Sequence, residues 1–281
     1  VAAVLARARI VPTPCGAGSL HWHIWGDLQG PGPVVLLHGG SGSWTHWLRN
    51  IEPLLERGRA VMAPDLPGFG DSALPPTGRD ADALPAPLEQ GLYRLLGQRA
   101  CDLVGFSFGG MVAGLWARAV PERVRRLVLV APPGLGLPAL DRIKPKAWRH
   151  LSDPIQRQAA HQHNVRELML HELMLHDESS LWPLACALQQ INAERDRLTG
   201  RRLAQTDVLA QALRQVHAPT RLIYGEHDRY YLHRVDAIES VLRLCPGYAG
   251  SHCIAGAGHW VQFERPDAFQ AALSDIGFDS P

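Results

Sequence analysis

The pentapeptide Gly105-Phe-Ser107-Phe-Gly109 constrains this 281-residue chain more than any other feature. An apolar run, Cys101-Asp-Leu-Val-Gly-Phe106, leads directly into it, and Met111, Val112, Leu115 and Trp116 recur at helical spacing after it. A strand must therefore turn sharply into a helix at the serine. Glycine on both sides removes the side chains that would collide in such a turn, and the serine hydroxyl is left exposed at its apex. Similar strand signals stand at Leu20–Trp25, Pro33–Leu37, Ala60–Ala63, Arg126–Ala131, Thr220–Tyr224 and His252–Ala255. Short apolar runs separated by helical segments predict the α/β class, with a mostly parallel central sheet covered by helices on both faces.

From Gly134 to Val216 the strand rhythm lapses, and Ala, Leu, Gln, His and Arg dominate. The expected organisation is a core of residues 1–133 and 217–281 with an inserted helical cap, 134–216, over the carboxyl edge of the sheet, where ligands of such sheets bind. The Pro- and Gly-rich stretch Leu74–Pro87 reads as a surface loop before a helix over Leu88–Leu96.

A formal net charge of +1 gives no electrostatic reason to expect nucleic acid or an anionic membrane as partner. Lysine occurs only at 144 and 146, a bias that fits a GC-rich bacterial coding sequence. The five cysteines are odd in number, scattered and without a CxxC pair, which fits a reducing cytoplasm and no zinc site. Val1–Ile10, broken by Arg7 and Arg9, does not read as a secretory leader. No apolar run approaches the roughly 20 residues that a membrane-spanning helix needs. The expectation is a cytoplasmic protein with a small-molecule substrate and no cofactor or metal; the sequence sets no oligomeric state.

A serine hydroxyl is a weak nucleophile and needs a base. Among fourteen histidines, His259 stands in Gly256-Ala-Gly258-His259-Trp260, after a late strand and before the closing helix. A carboxylate to orient it should end an earlier strand, as Asp228 does in Gly225-Glu-His-Asp228. The order Ser107, Asp228, His259 is one known to build a serine triad. Glu226 is the rival acid, and His227 reads as a loop residue. An oxyanion would be met by the backbone N–H of Phe108 and, from the glycine-rich loop His38–Gly42, by that of Gly40.

From His38 to Ile276 the chain resembles the α/β-hydrolase superfamily. Within it, His38-Gly-Gly, Trp44-Thr-His-Trp-Leu-Arg49-Asn50, Gly225–Tyr231 and Gly258-His-Trp-Val-Gln-Phe-Glu264 are similar to the meta-cleavage-product hydrolases. Those enzymes cut a carbon–carbon bond in vinylogous diketones formed when bacteria degrade aromatic compounds. The resemblance implies a substrate site near Gly39, Ser41 and His46, the last standing where that family usually carries Asn. Where the family places a carboxylate-binding arginine in the cap, this chain aligns Gln189, with Arg195 and Arg197 close by.

Other features read as structural. His171-Glu-Leu-Met-Leu-His176 spaces its histidines five apart, which takes them off one helical face and away from a zinc-protease pattern. Asp65 and Asp71 fall in a loop expected at the rim of the site. Trp44, Trp47, Trp182 and Trp260 are candidates to line an aromatic cleft, and Leu168, Leu175 and Leu181 to line its cap side. Hydrolysis of an ester or related acyl bond is the leading expectation. Carbon–carbon hydrolysis is the alternative, and a non-catalytic receptor on the same fold is the third. An arginine turned into the cleft would favour an acidic substrate, because a buried charge is strongly disfavoured without a partner.

Overall fold

A computed structural model describes residues 1–30, 32–138, 140, 145–171, 174–177 and 182–278, with the backbone alone at 170 and 171. Leu181 and the side chain of His171, both named above, lie outside the described residues. The strands are β1 (Arg9–Cys15), β2 (Gly18–Trp25), β3 (Val34–Leu37), β4 (Val61–Pro64), β5 (Cys101–Phe106), β6 (Val124–Val130), β7 (Thr220–Gly225) and β8 (Tyr248–Ile254). They form one eight-stranded sheet in the order β1-β2-β4-β3-β5-β6-β7-β8. The β1–β2 and β2–β4 pairs are antiparallel, and all others are parallel.

Alternation along the buried strands divides the core into two layers. Val35, Leu37, Met62 and Leu103 face one cluster with Leu88, Leu92, Leu115 and Trp116 from helices Pro85–Leu96 and Phe108–Ala119. Val34, Leu36, Val61 and Val104 face the other with Trp47, Ile51, Phe263 and Phe269. Every residue of β3, β4 and β5 is buried because both faces are covered, which is why these strands read as unbroken apolar runs.

Three elements differ from the sequence reading. The strand β1 escaped it because Pro12 and Pro14 interrupt the pattern. Since β1 is an edge strand paired only with β2, a proline can turn its missing N–H outward at no cost to the ladder. The strand β8 begins at Tyr248, four residues before the predicted start. The stretch 74–87 is not a plain surface loop: Ala81 and Leu84 are fully buried, and the helix already begins at Pro85. Asp80 pins it, accepting from the N–H of Ala81 at 2.7 Å and that of Leu203 at 2.9 Å.

Between β6 and β7 run helices Pro154–His171, Trp182–Glu194 and Val208–Leu213. The first two add Val165, Met169, Ala185 and Leu188 to the second cluster. Val208–Leu213 instead lies on Phe108–Ala119, with Leu209 against the bare backbone of Gly114. No helix among the described residues is long and apolar enough to cross a membrane.

Candidate active site

Ser107 caps helix Phe108–Ala119 at φ +50° and ψ −119°, a backbone conformation that a residue with a Cβ rarely adopts. The fold imposes it through the ladder: the Ser107 N–H donates to Val130 O at 2.7 Å while the next residues already turn into the helix. The flanking glycines are sterically required. A Cβ on Gly105 would collide with the carbonyl oxygen of Gly109, and one on Gly109 with that of His38.

Asp228, fully buried, stands beyond the end of β7, and its Oδ2 lies 2.7 Å from His259 Nδ1. Its Oδ1 accepts from the Tyr230 N–H at 2.9 Å, which fixes the carboxylate. The imidazole of His259 is held between the Phe106 and Tyr230 rings, with centroids at 5.0 and 4.9 Å. Its loop is tied on both sides. The Gly258 N–H donates to Glu264 Oε2 at 2.7 Å, and the Trp260 N–H to Met174 O at 2.8 Å. Glu264 Oε1 also accepts from the Asp177 N–H at 2.8 Å, so one buried carboxylate joins the histidine loop to residues 174–177. The rival acid Glu226 is half-exposed and takes the Gly256 N–H at 2.9 Å. His227 stacks on His176 with centroids 3.5 Å apart.

Ser107, His259, Phe108 and Gly40 line one cavity of about 450 Å³. Ser41, His46 and Gln189 line it too, as do Leu168, Met174, Leu135, Leu137 and Ile238. Gly39 sits behind the wall, where a Cβ would meet the Phe106 ring at 2.9 Å. It locks two histidines: His38 Nδ1 lies 2.8 Å from Gly39 O, and the Gly39 N–H donates to His46 Nδ1 at 3.1 Å. That second bond puts the His46 proton on Nε2, which faces Gln189 Oε1 at 3.4 Å.

Several expected lining residues fall elsewhere. Trp260 is fully buried, stacks on Phe263 and donates from its indole to His46 O at 3.0 Å. Trp44 and Trp47 are buried packing residues, and Trp182 and Leu175 join the second apolar cluster rather than the cavity wall. Flat apolar bulk filled the core here, as it does for most tryptophans. Arg195 is turned away and paired with Asp71, while Arg197 donates to Gly70 O and Ser72 O. Asp65 holds the rim loop by accepting from the N–H groups of Trp44 and Asp71, each at 3.0 Å.

Arg234, which donates to Pro138 O at 2.6 Å, lines the cavity, and so does Arg201, which the sequence reading also missed. The Arg201 guanidinium lies over the Phe69 and Phe108 rings at 5.3 and 5.8 Å. Nη2 is 2.7 Å from Asp196 Oδ2, while Nη1 is buried with no hydrogen-bond partner among the described residues. A Cβ on Gly40 would lie 3.1 Å from that nitrogen, so it sits beside the glycine-rich loop 38–42. No group of three or more His, Cys, Asp or Glu suited to a metal occurs among the described residues.

Burial pushes both His38 and His46 down to about 3. An unfolded histidine titrates near 6.5, so between about pH 6.5 and 3 the unfolded chain binds the more protons. Their contribution to stability is therefore complete at neutral pH and is lost as pH falls through that window. Urea midpoints measured from pH 7 to 4 should fall, with a shallower slope in His46→Asn; an equal slope in that variant would contradict the assignment.

A profile of the alpha/beta hydrolase family matches residues 34–272. A 2-hydroxy-6-oxononadienedioate/2-hydroxy-6-oxononatrienedioate hydrolase of Klebsiella pneumoniae is 30% identical, over 94% of this chain and 93% of that protein. Two solved structures share the fold at 22% identity. A meta-cleavage product hydrolase from Pseudomonas fluorescens has a TM-score of 0.71 over 96% of this chain and 98% of its own. A putative aryl esterase from Burkholderia cenocepacia has a TM-score of 0.72 over 95% and 97%. These matches carry the resemblance to meta-cleavage hydrolases read from the sequence. The chain belongs to the alpha/beta hydrolase family and is an enzyme, a hydrolase.

Proposed function

We propose that this hydrolase cleaves a carbon–carbon bond in an acidic, vinylogous diketone of the meta-cleavage type. Ser107 is its nucleophile, His259 its base and Asp228 the residue that orients the base. The observation that carries the substrate reading is the inward guanidinium of Arg201, with an unpartnered buried nitrogen at the cavity wall. Asp196 already balances the charge through Nη2, but a buried N–H donor left without an acceptor is costly, and a carboxylate on the substrate would supply one. The relatives named for dioate substrates support the same choice.

The chemistry follows from the geometry. With Nδ1 facing Asp228, His259 presents Nε2 as acceptor for the Ser107 proton. A dienol must first take a proton on carbon, so that the bond beside the distal oxo carbon can break onto an electron sink. Ser107 attacks that carbonyl, and the N–H groups of Phe108 and Gly40 receive the oxyanion. Bond cleavage expels the other half as a dienolate, which takes the proton held by His259, and leaves an acyl-serine that water hydrolyses with His259 as base. The inserted segment 134–216 acts as the cap over this cavity, with Leu135, Leu168, Met174 and Gln189 lining it from that side, and the five free thiols support a reducing, cytoplasmic setting.

The ester reading uses the same machinery, and the apolar wall of Leu135, Leu137, Leu168 and Ile238 supports it. The two separate on turnover of a coloured ring-cleavage dienoate against p-nitrophenyl acetate. Carbon–carbon hydrolysis predicts the larger kcat/KM on the dienoate; turnover of the ester alone would reject it.

A further inference from the structure

We infer that Asp196 is a positioning residue that holds the oxyanion loop in its working shape, a role that rests on the Gly40 donor proposed above. Ser41, next to Gly40, has φ +49°, a left-handed conformation that a residue with a Cβ keeps only under restraint. The restraint comes from across the cavity. Ser41 Oγ donates to Asp196 Oδ2 at 2.6 Å, and Ser41 O accepts from Gln189 Nε2 at 3.1 Å. The Asp196 carboxylate is fixed in turn by the Leu198 N–H at 3.1 Å and by Arg201 Nη2 at 2.7 Å. The far end of the same loop is tied by Ser43 Oγ to Asn192 Oδ1 at 2.8 Å and by Asn192 Nδ2 to Thr45 Oγ1 at 3.0 Å.

Gly39 is anchored separately through His38 and His46, so the freedom left to the loop lies at Gly40 and Ser41. Releasing Ser41 to negative φ swings the peptide on its amino side and carries Gly40 with it. An oxyanion donor acts only when aimed beforehand, so the swing costs rate rather than ground-state binding. Asp196 thereby links residues 189–201 to the reacting centre without touching substrate.

The test is a double-mutant cycle between Asp196→Ala and Ser41→Gly, with melting curves to verify folding. It is read as kcat on p-nitrophenyl acetate and as the rate at which a fluorophosphonate labels Ser107. Both probes are uncharged and make no demand on Arg201. Asp196→Ala should lower both rates about 10-fold or more, with KM changing less. In the Ser41→Gly background the same removal should cost under about 3-fold, because glycine takes positive φ without restraint. Asp196→Asn, which keeps an acceptor for the serine hydroxyl, should retain most of the rate. If the alanine variant does not fold, Ser41→Ala removes only the donor and carries the same expected loss. Equal losses in both backgrounds, or wild-type rates in Asp196→Ala, would overturn the role of Asp196. Turnover and labelling that survive Ser107→Ala would overturn the serine reading itself and this inference with it.

Discussion

Replacing Ser107 with alanine is expected to lower kcat by about 10⁴- to 10⁶-fold while the melting temperature stays close to that of the parent. The size of the loss follows from the proposed chemistry, in which the hydroxyl is the atom that attacks and His259 and Asp228 act through it. The small effect on stability follows from the turn. Serine and alanine pay the same steric cost at φ +50°, and among the described residues no hydrogen bond of the Ser107 hydroxyl holds the elbow together. The elbow is held by the Ser107 N–H on Val130 O and by glycines at 105 and 109, all untouched by the substitution. Single-turnover kinetics and a melting curve on one preparation decide the matter. Activity near the parent level would remove Ser107 from the mechanism.

What could be read from the sequence, and what could not, divides along one physical line. Strands buried on both faces write themselves as short apolar runs, so β3 to β7 were legible to within one or two residues. The serine turn was legible because its glycines are sterically compelled. The pairing of Asp228 with His259, 2.7 Å apart, was legible because each follows a strand at a recognisable position. The polar side of the cavity was not. Arg201 lies in irregular chain after helix Trp182–Glu194, where no periodicity fixes the direction of a side chain. Arg195, nearer the helix, was the natural choice, yet Asp71 draws it outward. No spacing marks Asp196, and only the fold shows that it meets Ser41 from 155 positions away. Glu264 stands in the stretch Gly258–Glu264, but the two hydrogen bonds it accepts from Gly258 and Asp177 depend on a tertiary approach that spacing does not encode.

Replacing Arg201 with glutamine should separate an acidic from a neutral substrate. Losing the partner of a buried charge costs about 2 to 5 kcal/mol, and each 1.4 kcal/mol is about tenfold. The expected fall in kcat/KM on a ring-cleavage dienoate is therefore about 30-fold to 1,000-fold or more, carried mostly by KM. Turnover of p-nitrophenyl acetate should fall far less, because that ester brings no charge to Nη1. Some loss is expected even there, since Arg201 also steadies Asp196 across 2.7 Å. Lysine at the same position should recover only part of the dienoate rate. It restores a positive charge but not the planar fork that can bond Asp196 through one nitrogen and the substrate through the other. Steady-state kinetics of the three proteins on both substrates are the measurement. Equal losses on dienoate and ester would make Arg201 a structural support, and the acidic-substrate reading would fall with it.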